Sequence, residues 1–128
     1  MTHSTALALR WVGFLGYAAL VFVASSQPIP PAYVPRIPHI DKLAHLAAYG
    51  VFAMLCFRAV WPDREQPVPF WVLVFAVGLA TAYGAGMEFY QELVSRQFDW
   101  VDMASNAVGA ALAAALWEPV TRRFDWLK

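Results

Sequence analysis

Apolar residues fall in four long runs, separated by short breaks that are polar or rich in proline. The first run, Leu7 to Ala24, is interrupted only by Arg10. A spanning helix needs about 20 apolar residues, and somewhat fewer if a basic side chain reaches back to the headgroups. A retained helix over 7–25 is expected in preference to a cleaved signal peptide, whose apolar core is shorter. Ser25 to Ile40 holds five of the nine prolines, a density that excludes continuous helix and favours extended backbone. This loop is expected to lie on the membrane surface.

Asp41 has the side chain of an N-cap, and the pattern predicts a second helix from there to Trp61, closed by Pro62. After the polar turn PDREQP, a third helix is expected over 69–94, with Gly78, Gly84 and Gly86 thinning one side for close approach. A short connection leads to an alanine-rich fourth helix over 101–117, where Gly109 and Ala113 form a small-xxx-small pair. The tail EPVTRRFDWLK reads as polar and basic. The fold class expected is an all-α membrane protein, one domain of four transmembrane helices packed as a small bundle.

Composition supports that class. Residues are 60% hydrophobic and only 14% charged, against roughly 25% charged in soluble domains, and mean hydropathy is +0.49. A soluble domain of 128 residues could not hide so much apolar surface. Formal net charge is zero, which argues against nucleic acid as a partner. The single cysteine, Cys56, lies mid-way along an apolar run and reads as a buried thiol. Counting Lys and Arg in the short loops sets orientation. With the N-terminus inside, the cytoplasmic side holds Arg10, Arg58, Arg64, Arg122, Arg123 and Lys128, against Arg36, Lys42 and Arg96 outside. An N-in, C-in topology follows.

Against this background the polar residues concentrate in two places. Asp41, His45 and Tyr49 recur at i, i+4 and i+8, with Lys42 on the same face. The stretch Glu88 to Gly109 holds Glu88, Gln91, Glu92, Arg96, Asp99, Asp102 and Asn106. Four spans in alternation bring both groups to the extracytoplasmic face. Ionisable groups at a membrane boundary are expensive, and they mark functional sites by default. Each also has an ordinary structural reading: Asp99 and Asp102 as cap and first turn of the fourth helix, Tyr49 as a core aromatic, the rest as interhelical glue.

The two segments together resemble the VanZ-like family of small bacterial membrane proteins, named after a protein that confers teicoplanin resistance. The resemblance rests on D-K-x-x-H-x-x-x-Y, here Asp41, Lys42, His45 and Tyr49, followed by Glu88, Gln91, Arg96, Asp99, Asp102, Asn106 and Gly109. It covers Asp41 to Ala114. It implies a multi-pass protein of the bacterial cytoplasmic (inner) membrane, with an envelope role linked to glycopeptide (teicoplanin) tolerance.

For chemistry, His45, Glu88 and Asp102 are the candidate catalytic residues, with His45 or Glu88 as base. Asp41, Lys42, Tyr49, Gln91, Arg96, Asp99 and Asn106 are candidate ligand-binding residues. Arg96 would clamp a phosphate or carboxylate through its planar fork. No Gly-x-Ser-x-Gly elbow occurs, and the second histidine of a type-2 phosphatidic acid phosphatase is missing after Ser95–Arg96. A metal held by His45, Glu88 and Asp102 is a minority reading, since neither HExxH nor paired cysteines occur. No metal and no cofactor are expected. Three functions remain open on the residues: an enzyme on an envelope lipid, a non-catalytic binder of a lipid-linked or glycopeptide ligand, and a proton-coupled transporter. The last would need a homo-oligomer. It is disfavoured because the polar stripe stops near Tyr49 and Asn106. The bilayer itself is the remaining partner.

Overall fold

The structure, a computed structural model, describes residues 3–27, 37–63, 65–94 and 97–124. Four helices follow one another: α1 (His3–Ser26), α2 (Ile40–Val60), α3 (Phe70–Leu93) and α4 (Trp100–Arg123). At about 1.5 Å per residue the 24-residue α1 and α3 are about 36 Å long, enough to cross a hydrocarbon core of about 30 Å. Among the described residues, α1, α2 and α3 are long and apolar enough to cross a membrane. Their outer faces carry exposed Leu9, Val12, Leu15, Phe70, Trp71 and Val74. The proline-rich segment 28–36 lies outside the described residues, and so do Arg64, Arg96 and the last four positions.

The helices alternate up and down. Arg10, early in α1, donates to the carbonyls of Arg58 and Pro62 where α2 ends. At the same end the Val68 amide, just before α3, donates to Glu118 of α4 at 2.8 Å. At the opposite end Gln91 of α3 donates to the Ser25 carbonyl of α1, and Lys42 of α2 meets Asp99 and Asp102 beside and within α4.

Packing needs small residues, because lipid tails offer helices no hydrophobic reason to associate. Ala53, Ala76, Ala80 and Ala110 are fully buried. Phe52 is the aromatic hub, edge-on to Phe14 of α1 and stacked on Tyr83 of α3, each with centroids 5.0 Å apart. Two tyrosine hydroxyls bind backbone carbonyls across helices, Tyr17 to Ala48 at 2.9 Å and Tyr83 to Ala18 at 2.6 Å. The most extensive pairing is α2 with α4, where Gly109 lies directly against the backbone of Leu46.

Three details depart from the sequence reading. Asp41 is not the cap of α2: the N-cap is His39, in the left-handed region at φ 61°, with Asp41 inside the first turn. Gly78 and Gly86 face open space, so only Gly84 of the three serves a close approach. The fourth helix does not stop at Trp117 but runs through Pro119 to Arg123. Thr121 Oγ1 donates to the Trp117 carbonyl at 2.8 Å, and the Glu118 carboxylate ties this turn to the start of α3. These contacts hold the turn where a proline removes one backbone bond.

Candidate functional site

The site is built where the starts of α2 and α4 meet the end of α3. Asp99 caps α4 by accepting from the Val101 amide at 2.7 Å, and this places Asp102 in the first turn. Lys42, one residue beyond Asp41 on α2, reaches across to both. Its ammonium lies 2.8 Å from Asp41 and 2.6 Å from Asp99, and it also bonds Asp102 Oδ1. The sequence offered Lys42 as a ligand-binding group; in the fold its charge is already taken up by three carboxylates. The same ammonium, with the Val101 amide, holds the Asp99 carboxyl below the usual carboxylate range.

One turn deeper, His45 is fixed from two sides. Its Nδ1 lies 2.9 Å from Asn106 Oδ1, and its Nε2 faces Asp102 Oδ2 at 3.4 Å. Glu88, on α3, is 1% exposed. Its Oε2 accepts from the Asp99 amide at 3.3 Å, while its Oε1 is buried without a hydrogen-bond partner among the described residues. Asn106 is also 1% exposed, and its Nδ2 is likewise unpartnered. It packs against Gly84, where an added Cβ would stand 2.7 Å from that nitrogen. A buried polar group without a partner costs roughly 1–3 kcal/mol, which makes these two atoms exceptions that need a reason.

The structure therefore brings His45, Glu88, Asp102, Asp99, Lys42, Asp41 and Asn106 into one cluster. Tyr49 lies deeper, 3% exposed and flanked by the rings of Phe52 and Tyr83. Gln91 is spent on the Ser25 carbonyl at 3.2 Å, joining α3 to α1. Arg96 falls outside the described residues. Four carboxylates face a single ammonium here, so the described cluster is acidic.

Sequence reasoning passed over an apolar groove of about 590 Å³ between α2 and α4. It runs beside the cluster from Leu46 and Gly109 through Gly50, Met54 and Leu112 to Leu116. Such a groove arises from two helices with small residues at their crossing, and no single-helix periodicity reveals it. At the far end of the bundle a second cavity of about 230 Å³ is lined by Arg10, Arg58, Trp61, Glu118 and Arg122.

Comparisons with protein families, with curated proteins and with solved structures find no match to this chain.

Proposed function

We propose that this chain is a VanZ-like membrane protein that takes a lipid-linked cell-envelope ligand into the cluster around Glu88. In this reading α4 is a fourth span, both termini face the cytoplasm of a bacterial inner membrane, and the cluster opens at the outer face. The observation that carries it is Glu88 itself: a carboxyl 1% exposed, with one oxygen unpartnered, beside a histidine held by Asp102 and Asn106. Groups that serve only as interhelical glue find partners; Glu88 Oε1 has none among the described residues. The family side of the reading rests on the motif residues.

The chemistry follows from the placement. Fixed by Asn106 at Nδ1, His45 presents Nε2 to the cluster interior, where it can take a proton from a ligand hydroxyl. Glu88 faces the same space from α3, and Asp102 steadies positive charge on His45. The groove along α2 and α4 accommodates an acyl or isoprenoid chain, so that a headgroup reaches the cluster while its lipid stays in the bilayer.

The test is expression in a glycopeptide-susceptible bacterium, with teicoplanin and vancomycin tolerance read side by side. Wild type should raise teicoplanin tolerance, and Glu88→Gln and His45→Ala should each abolish the rise at equal membrane abundance. A wild-type protein that leaves tolerance unchanged refutes the envelope role. A fluorescent protein fused to the C-terminus should light up in the cytoplasm, and a dark fusion refutes the topology.

A further inference from the structure

We propose that His45, Glu88 and Asp102 bind a divalent metal ion of the zinc class. The inference deepens the functional reading, rests on it only for the identity of the site, and makes His45 Nε2 a ligand in place of a proton acceptor while the ion is bound. These three side chains each offer a donor atom, and the three atoms lie within 4.8 Å of one another. Donors around a tetrahedral zinc stand about 3.4 Å apart, given bonds of about 2.0–2.2 Å. His45 Nε2 and Asp102 Oδ2 already have that separation, at 3.4 Å. Glu88 stands in the same triangle, with an oxygen within 4.8 Å of both other donors.

The stronger observation is how each side chain is divided. Every one is tied down through one heteroatom and keeps a second outside that bond. His45 is held at Nδ1 by Asn106 Oδ1, leaving Nε2. Asp102 is held at Oδ1 by Lys42, leaving Oδ2. Glu88 is held at Oε2 by the Asp99 amide, leaving Oε1, which is buried and unpartnered. This is the arrangement by which outer partners orient metal ligands and fix a histidine tautomer. With Nδ1 donating to Asn106, Nε2 carries a lone pair aimed at a carboxylate, and a cation between them turns repulsion into ligation.

Charge points the same way. Among the described residues three further carboxylates remain after Lys42 is matched with one, and a divalent ion offsets most of that excess. One imidazole nitrogen with two carboxylate oxygens suits zinc better than calcium or magnesium, which prefer all-oxygen shells. Three protein donors leave a position open, as in catalytic rather than structural zinc sites. That position gives the cluster what Lys42, already occupied, cannot: a positive centre for an oxygen anion such as a headgroup phosphate.

The experiment is zinc titration by calorimetry, with metal content by mass spectrometry, on chelator-stripped protein purified in detergent without an oligohistidine tag. Wild type should bind one zinc per chain. Glu88→Gln, Asp102→Asn and His45→Gln should each weaken binding at least tenfold, and Asp63→Asn, at the other end of the bundle, should not. Cobalt in place of zinc should give visible absorption that the three variants lose. Circular dichroism identifies any variant that fails to fold, and the near-isosteric Glu88→Gln then decides. Wild type binding zinc no more tightly than a folded Glu88→Gln overturns the proposal. Zinc binding without any tolerance phenotype would sink the envelope role and leave the metal site standing; the reverse outcome would do the opposite.

Discussion

The closest backbone approach at a glycine among the described residues predicts a large cost for a very small substitution. A Cβ built on Gly109 runs into the carbonyl oxygen of Leu46 and stands 2.8 and 2.9 Å from its carbonyl carbon and Cα. All three obstacles are backbone, so no side chain can swing aside and α2 must move off α4. Overpacking of this kind costs typically 1–3 kcal/mol, and the rigid obstacle puts Gly109→Ala near about 3. Alanine returns up to about 1 kcal/mol of helix propensity, leaving a net loss of about 2 kcal/mol. At about 2.1 cal/mol/K per residue of unfolding entropy, that lowers Tm by roughly 7 °C. Gly78→Ala and Gly86→Ala meet nothing within 4 Å and should hold or raise Tm. Gly50→Ala, whose Cβ would meet the Gly109 carbonyl at 3.3 Å, should fall between. The assay is thermal unfolding in detergent, all four variants in parallel. Because Leu46 follows His45 and Gly109 lies one turn from Asn106, Gly109→Ala should also impair whatever the cluster does. A Gly109→Ala protein as stable as Gly78→Ala would refute the packing argument.

Lys42→Met leaves Asp41, Asp99 and Asp102 facing one another without a cation among the described residues, and should lower Tm, a loss that Asp102→Asn partly restores in the double variant. Acid should destabilise the fold through Asp99. Its carboxyl is depressed in the folded state, so the stability it contributes is present above the ordinary value of about 3.9 and is lost as pH falls through the lower folded value. Tm should thus fall below about pH 4, more gently in Asp99→Asn; identical pH profiles would count against the Lys42–Asp99 bond.

Much of this architecture could be read from the chain because hydropathy runs and prolines act locally. The four helices, the pairing of Asp99 with Asp102 at the start of α4 and the role of Gly109 all follow from near-neighbour rules. What could not be read depends on partners far along the chain. Lys42 looks like a ligand-binding group until α4 brings carboxylates 57 and 60 positions away to its ammonium. The segment from Glu118 looks like a polar tail until Thr121 and Glu118 are seen to hold the turn around Pro119. The cap of α2 went to His39 because its left-handed backbone lets the chain enter the helix before Asp41, whose carboxylate then turns to Lys42. The division of each cluster side chain into a held atom and an open one belongs to the same category: it is a property of three helices meeting.

The preference of α2 for α4 over its neighbours in sequence also sets a timetable for biogenesis. When α2 leaves the ribosome, Lys42 and His45 enter the membrane boundary with their later partners, Asp99, Asp102 and Asn106, still to be made. At about 5–20 residues per second, the 60 positions from Lys42 to Asp102 take roughly 3–12 s to synthesise. Through that interval the ammonium must be kept near water or sheltered by the insertion machinery. α4, translated after α2, is therefore the helix that brings the Lys42 ammonium its carboxylates from across the bundle.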